Sequence, residues 1–334
     1  MNFFDVCGIS YIMESIRPQE KESAKEYAPD EIAPKKYSFR PQTLEQYVGQ
    51  ERPKMLIRLN LKKIMTTKPV HFIISGSKGT GKSTLAYIIA NQLSFPIKTY
   101  IGGAFTMDNL QDFLIENSKS ETPSILFVDE IHGINKNIGE FMFPLLEDFL
   151  LPIGNVEVRP FIFIGATTEK NTLYKRLAPM IDRCQSVDLE YYNAEDIEKI
   201  LRQYNEQVYQ EKIPDEVYKL ISNNCRYTPR LALSLVDDYN ICKDIKKILD
   251  MHQIVKNSLS VKDIIVLKHL AEMEGKPVGI EVLSVITQQT RADYRLLQEA
   301  FLLQSGMLSR TSRGRVITLK GKELLQGLKN DKII

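Results

Sequence analysis

The sequence predicts a parallel α/β domain with a phosphate-binding loop, then a helical segment, then a last unit of helices closed by a short strand pair. Three observations predict it. First, short apolar runs at residues 70–75 (VHFIIS), 124–128 (SILFV) and 161–164 (FIFI) alternate with stretches of helical periodicity; buried parallel strands read this way because helices cover both faces of the sheet. Second, the first run leads directly into a glycine-rich loop, Gly76 to Ser83, and then into a helical stretch from Lys82 to Leu93. Third, the pattern from Asn193 to about Ile254 is helical with no obvious strand. Residues 258–330 have helical periodicity and then a strand pair around 310–319.

The chain has 334 residues, enough for two or three domains. Hydrophobic residues make up 43% and charged residues 26%, close to ordinary globular usage, so a sizeable core can be buried. The net charge of +2 is too small to argue for a nucleic-acid partner by itself. No apolar run is long enough to span a membrane, and the first residues lack the basic region and long apolar stretch of a signal peptide. Cys7, Cys184, Cys225 and Cys242 are widely spaced, which suggests neither a zinc site nor a disulfide framework. Free thiols in a reducing cytoplasm are expected. Residues 1–36 are charged and weakly periodic and read as a flexible leader.

Gly76-Ser-Lys-Gly-Thr-Gly-Lys82-Ser83 fits the phosphate-loop pattern, glycine, four residues, then Gly-Lys-Ser. Its glycines let backbone N–H groups turn toward phosphate oxygens, and the helix that follows offers the positive end of its dipole. Lys82 would reach the β- and γ-phosphates and Ser83 would ligate Mg²⁺. The second apolar run delivers Asp129 and Glu130 at its carboxyl end, where open α/β sheets bind ligands. Asp129 would serve the cation, and Glu130 would orient and polarise an attacking water. His132 stands nearby, but its residue type alone assigns it no role. The third run ends in Ala166-Thr167-Thr168, where a hydroxyl could sense the γ-phosphate. Arg183 and Arg230 are candidates to stabilise phosphate charge, but each is ambiguous in isolation.

Several stretches then match one family in order and spacing. They are Phe39-Arg-Pro-Gln-Thr-Leu-Glu-Gln-Tyr-Val-Gly-Gln50, the phosphate loop with Ala86-Tyr-Ile-Ile-Ala-Asn91, and Leu126-Phe-Val-Asp-Glu-Ile-His132. Further along come Phe143-Pro-Leu-Leu-Glu-Asp-Phe149, Phe163-Ile-Gly-Ala-Thr-Thr168, Tyr227-Thr-Pro-Arg230, Gly275-Lys-Pro-Val-Gly279 and Arg310-Thr-Ser-Arg-Gly-Arg315. The chain resembles RuvB, the ATPase that drives branch migration of Holliday junctions in bacteria, from about Tyr37 to Lys320. The last two stretches separate this family from other AAA+ proteins.

The resemblance implies an α/β P-loop ATPase domain of the AAA+ type over residues 37–190. A small all-α lid over 191–256 and a C-terminal winged-helix DNA-binding domain over 257–334 would follow it. It implies ATP and Mg²⁺ as cofactors and an ATP-driven DNA translocase working as a hexameric ring in recombination and repair. Duplex DNA and Holliday junctions, a RuvA-like adaptor and RuvC would be its partners. Phe39, Arg40, Pro41, Tyr47 and Val48 match the adenine-side segment. Gly79, Thr80, Gly81, Lys82, Ser83 and Thr84 match the phosphate and Mg²⁺ residues. Asp129 and Glu130 match the Walker B carboxylates, Thr168 matches sensor 1, and Arg183 matches the finger offered to the next subunit. Glu147, Asp148, Phe149, Tyr192 and Arg230 match further nucleotide contacts, Arg230 being sensor 2. Arg310, Arg313 and Arg315 match the DNA-contacting stretch. Independently, residues 308–334 hold seven Lys/Arg against two Asp/Glu, a local net of +5. Such a strand pair can lie against phosphates or a minor groove.

Four departures stand out. The loop reads GSKGTGKS where the family usually has GPPGLGKT, and serine can replace threonine at the cation. Ile181 stands where the family has an arginine, which predicts a charge lost near a subunit boundary. Residues 287–299 lack several of the family's usual acidic side chains. Residues 149–160 are shorter than the family's β-hairpin that docks on RuvA, which predicts altered docking. A clamp-loader-like switch, and a DNA-binding scaffold whose oligomer is held by ATP, remain alternatives at this stage.

Overall fold

The computed structural model describes residues 39–154 and 156–330. The leader expected at 1–36 lies outside the described residues. The chain divides into two compact units between Tyr192 and Asn193.

The first unit holds five parallel strands: β1 (His71–Ser75), β2 (Ile97–Ile101), β3 (Ile125–Asp129), β4 (Ile162–Thr167) and β5 (Cys184–Asp188), in the order β2-β3-β4-β1-β5. Successive side chains of a strand point to opposite faces, so the apolar runs feed two cores. Ile73, Leu126, Val128 and Phe163 pack on one face with the helices Met107–Lys119, Lys136–Glu147 and Lys170–Ile181. Phe72, Ile74, Ile125, Phe127, Ile162 and Ile164 pack on the other with Glu51–Thr66 and Lys82–Leu93. Sequence reading finds β1, β3 and β4 and misses β2 and β5. The two missed strands are the sheet edges, and their half-exposed residues (IKTYI and CQSVD) form no continuous apolar run.

His71 opens β1 inside this core, where its Nδ1 accepts the Phe163 N–H at 3.0 Å and its Nε2 lies 3.0 Å from the Leu146 carbonyl. Burial lowers its pKa to about 4, so the ring is neutral. Burial also pushes the thiols of Cys184 and Cys225 up, to about 12 and about 11, which makes both poor nucleophiles. No helix among the described residues is long and apolar enough to cross a membrane.

In the second unit four helices, Ala194–Val208, Asp215–Asn223, Pro229–Cys242 and Ile245–Met251, lead into a small hairpin, Ile254–Lys256 with Leu259–Ser260. The boundary expected at 256/257 falls in that hairpin. Helix Val261–Glu272 follows, opened by a capping box between Ser260 and Asp263. Then come Ile280–Ile286, a helix from Arg291 that passes through a π-helical turn at Arg295–Glu299, and an antiparallel ribbon, Leu308–Thr311 with Gly314–Ile317. Val278 adds a third short strand: its N–H reaches the Arg315 carbonyl at 2.9 Å and its carbonyl accepts the Arg315 N–H at 2.8 Å. Gly314 is required by that approach, since a Cβ there would lie 2.5 Å from the Val278 carbonyl oxygen.

Candidate active site

The phosphate loop leaves β1 at Ser75, beside the ends of β4 and β5 (Ser75 pairs with Thr167 and with Asp188). Gly79 and Gly81 take φ of 84° and 96°, the left-handed turns that glycine makes at no steric cost. Lys82 folds back into the loop, with Nζ donating to the carbonyls of Gly76 at 2.9 Å and Ser77 at 3.0 Å. It is 7% exposed. Burial lowers its pKa, while Glu130 and Asp129 act in the opposite direction and favour the ammonium. Two tyrosines brace the loop from outside. Tyr47 donates to the Thr80 carbonyl at 3.1 Å, and Tyr192 reaches the same carbonyl at 3.4 Å. Both are buried, and burial raises the Tyr47 pKa well above the usual tyrosine value.

The segment expected on the adenine side is fastened next to this loop. Arg40 lies 5.4 Å from the Tyr87 ring, Asn91 donates to Gln42 at 2.7 Å, and Gln50 exchanges two hydrogen bonds with the Glu190 backbone. Phe39, Pro41 and Val48 are half-buried in it, and Thr84 sits in the first turn of helix Lys82–Leu93.

At the end of β3, Ser83 Oγ donates to Asp129 Oδ2 at 2.7 Å. One hydroxyl and one carboxylate, both hard oxygen donors, fit a Mg²⁺ ion that keeps waters and takes its remaining ligands from phosphates. Glu130 follows in the left-handed region, φ 47°, a strain that active sites tend to hold. Its Oε2 accepts Thr168 Oγ1 at 3.1 Å and lies 3.3 Å from His132 Nδ1. Lys82, Ser83, Asp129, Glu130 and Thr168 therefore converge at the carboxyl ends of β1, β3 and β4. Thr167 points inward, fully buried.

Other expected residues lie elsewhere. Glu147 and Phe149 sit at the opposite end of the sheet, where β1 begins. The Phe149 ring lies 5.9 Å from that of His71 and 5.8 Å from that of Phe161. A five-residue strand is about 17 Å long, so Glu147, Asp148 and Phe149 cannot touch a nucleotide in their own loop. Arg183 shares this edge, one residue before Cys184, which pairs with His71. Its Nε donates to Glu147 at 2.8 Å, a second guanidinium N–H joins the same oxygen, and its Cζ lies 3.5 Å from the Phe143 ring centroid. Ile181 is 1% exposed and packs in the core. Residues 149–151 and 156–158 still pair as a rudimentary hairpin, with Leu151 N–H to Val156 O at 2.9 Å and Val158 N–H to Phe149 O at 2.7 Å. Arg230 is in the second unit, exposed in the first turn of Pro229–Cys242.

The ribbon corrects one expectation. Arg315 is not offered outward: its Nε and Nη2 reach the two oxygens of Glu299 at 2.7 and 3.1 Å, with side chains 8% and 4% exposed. Arg310 and Arg313 are exposed. The basic stretch announced three surface arginines because nothing in it marks Glu299, sixteen residues upstream, as a buried partner.

Comparison with known proteins settles the family. Residues 39–188 match the model for the Holliday junction DNA helicase RuvB P-loop domain, and residues 256–326 match the RuvB C-terminal winged helix domain. The RuvB subunit of the Holliday junction branch migration complex of Fusobacterium nucleatum is 33% identical over 317 residues, covering 87% of this chain and 93% of that one. The chain belongs to the RuvB family. The corresponding subunit of Mycoplasma genitalium is 32% identical over 304 residues, covering 85% and 97%. The solved structure of the Thermotoga maritima RuvB Holliday junction branch migration motor superposes with a TM-score of 0.73 at 29% identity, covering 86% of this chain and 98% of that one. The Aeropyrum pernix ORC2 protein, at 13% identity and a TM-score of 0.51, shares the fold alone. This RuvB-family chain is thus an ATP-hydrolysing enzyme with an AAA+ core, a helical lid and a winged helix. His132, to which the sequence assigns no role, and Arg176, which sequence reading does not single out, are part of the site's frame: Arg176 donates to the carbonyls of His132 and Ile134 at 2.5 and 3.0 Å.

Proposed function

We propose that this chain is an ATP-dependent DNA translocase that drives branch migration of Holliday junctions, working as a hexameric ring in recombination and repair. The observation that carries the reading is the pairing, in one chain, of the nucleotide site described above with a winged helix of the same family. Lys82 and the loop N–H groups bind the β- and γ-phosphates, and Ser83 and Asp129 hold Mg²⁺, whose charge offsets that of the phosphates. Glu130 orients the attacking water. Thr168 donates to the γ-phosphate. Tyr47, Tyr192 and residues 39–48 hold the adenine side, and Arg230 adds a lid contact. Arg183, at the far edge of the sheet, serves the nucleotide of the next subunit, as do Glu147 to Phe149. Hydrolysis then moves one subunit against the next, and the ring draws duplex DNA past the ribbons. Arg310 and Arg313 touch phosphates there without reading sequence.

The short hairpin at 149–158 bears on loading by a RuvA-like adaptor, and RuvC is a further partner of the same assembly. Steady-state ATP hydrolysis, measured alone, with duplex DNA, and with a four-way junction plus RuvA, tests the reading. Stimulation by the junction with RuvA is expected if the trimmed hairpin still docks. Stimulation by duplex alone means a motor loaded without that adaptor. No response to any DNA overturns the translocase.

A further inference from the structure

Two side chains meet one oxygen of Glu130. Thr168 Oγ1 donates to Oε2 at 3.1 Å, and His132 Nδ1 stands 3.3 Å from the same atom. His132 Nδ1 is also 3.1 Å from Thr167 Oγ1, which accepts the Glu169 N–H at 2.9 Å. The imidazole is held by its backbone. The turn Ile131–Gly133 is closed by Gly133 N–H to Glu130 O at 2.9 Å and Ile134 N–H to Ile131 O at 3.0 Å. Arg176, from the helix Lys170–Ile181, fastens the carbonyls of His132 and Ile134. A residue on a solvated loop needs none of this bracing.

A handover between these two partners rests on the function proposed above and turns on one hydrogen. A threonine hydroxyl has a single O–H to donate. If Thr168 reports the γ-phosphate, its hydrogen goes to phosphate and cannot also go to Glu130. Nucleotide binding therefore frees the carboxylate that must orient water, at the moment when its aim matters most. In the tautomer that carries its proton on Nδ1, His132 is a donor that stays within reach, and a small rotation of the ring moves its N–H between Thr167 and Glu130.

We infer that His132 is a positioning residue for Glu130, taking its carboxylate over from Thr168 when the γ-phosphate claims the Thr168 hydroxyl. The Glu130–Thr168 contact is then a resting arrangement, and the Glu130–His132 contact is the working one.

Steady-state ATP hydrolysis by the full chain tests this, with ATP affinity measured separately by a fluorescent analogue. His132→Ala is expected to lower kcat about tenfold, the effect of losing one hydrogen bond to a charged group, while affinity stays within about twofold. His132→Asn, whose amide places an N–H near the position of Nδ1, is expected to restore most of the loss. An unchanged kcat in His132→Ala overturns the inference. So does a loss that His132→Asn leaves unrepaired, because its amide keeps the N–H the inference requires, and so does equal repair by His132→Leu, which fills the space without an N–H. Glu130→Gln distinguishes this failure from that of the underlying reading: if that variant still turns over ATP, the water-orienting role of Glu130 itself is wrong.

Discussion

The phosphate loop and the ribbon both gather charged residues, and they treat them in opposite ways. In the loop each functional group rests on a partner that a ligand can replace. Lys82 leans on two carbonyls, Ser83 on Asp129, and Thr168 on a half-exposed Glu130. At the ribbon Arg315 is spent inside the fold, bidentate on Glu299 with both side chains nearly out of solvent, while Arg310 is mostly exposed and reaches the same carboxylate only at 4.0 Å, and Arg313 is exposed. The contacts of the loop are placeholders and that of the ribbon is a fixture. Which of the two an arginine becomes depends on a partner distant in sequence, and a local basic pattern cannot say.

The largest expected effect tests the fixture. Arg315→Ala leaves the buried Glu299 carboxylate with only the mostly exposed Arg310, whose Nε stands 4.0 Å away, and should destabilise the second unit by about 3 kcal/mol. Replacing both partners by apolar residues of similar volume should recover most of that loss, since the desolvation penalty disappears with the charges. Denaturant unfolding of the single and double variants reads both results. A single variant as stable as the parent would make Arg315 a surface residue after all.

A smaller effect comes from His71, a buried group kept neutral instead of paired. Its folded pKa is about 4, below the ordinary value for histidine. In the unfolded chain it takes up a proton as pH falls below about 6.5; in the folded protein it does so only near 4. Between those values the unfolded state binds more protons, so stability falls as pH falls. The His71 contribution should cost about 2 kcal/mol at pH 5 relative to pH 7. His71→Asn should flatten this part of the pH–stability curve, and an unchanged curve would contradict the assignment. The smallest effect is at Arg313. Arg313→Ala should change stability by no more than about 0.5 kcal/mol and lower the salt slope of DNA binding by about 1. A sequence-dependent loss would speak against a phosphate contact.

The sequence was most legible where chemistry and backbone geometry coincide. A glycine-rich loop between a buried strand and a helix, and an apolar strand ending in Asp129-Glu130, have few meanings, and the structure places these residues together. Edge strands β2 and β5 were illegible because one side of each meets solvent and periodicity fades. Residues 147–149 were legible as a motif but not as a place: only the fold shows them at the far end of the sheet from their own phosphate loop. His132 has no legible role in the sequence because a single histidine carries little information until Glu130, Thr167 and Thr168 surround it. Arg315 was misplaced because its partner lies in a π-helical turn that no pattern announces.

The measurement that bears most directly on the whole account is nucleotide binding and turnover by Glu130→Gln. If Glu130 orients the water while Lys82, Ser83 and Asp129 hold the nucleotide, the variant binds ATP as the parent does and loses about 10²-fold or more in kcat. Parental turnover in that variant would contradict the account, because the residues gathered at the ends of β1, β3 and β4 would then not be the ones that hydrolyse ATP.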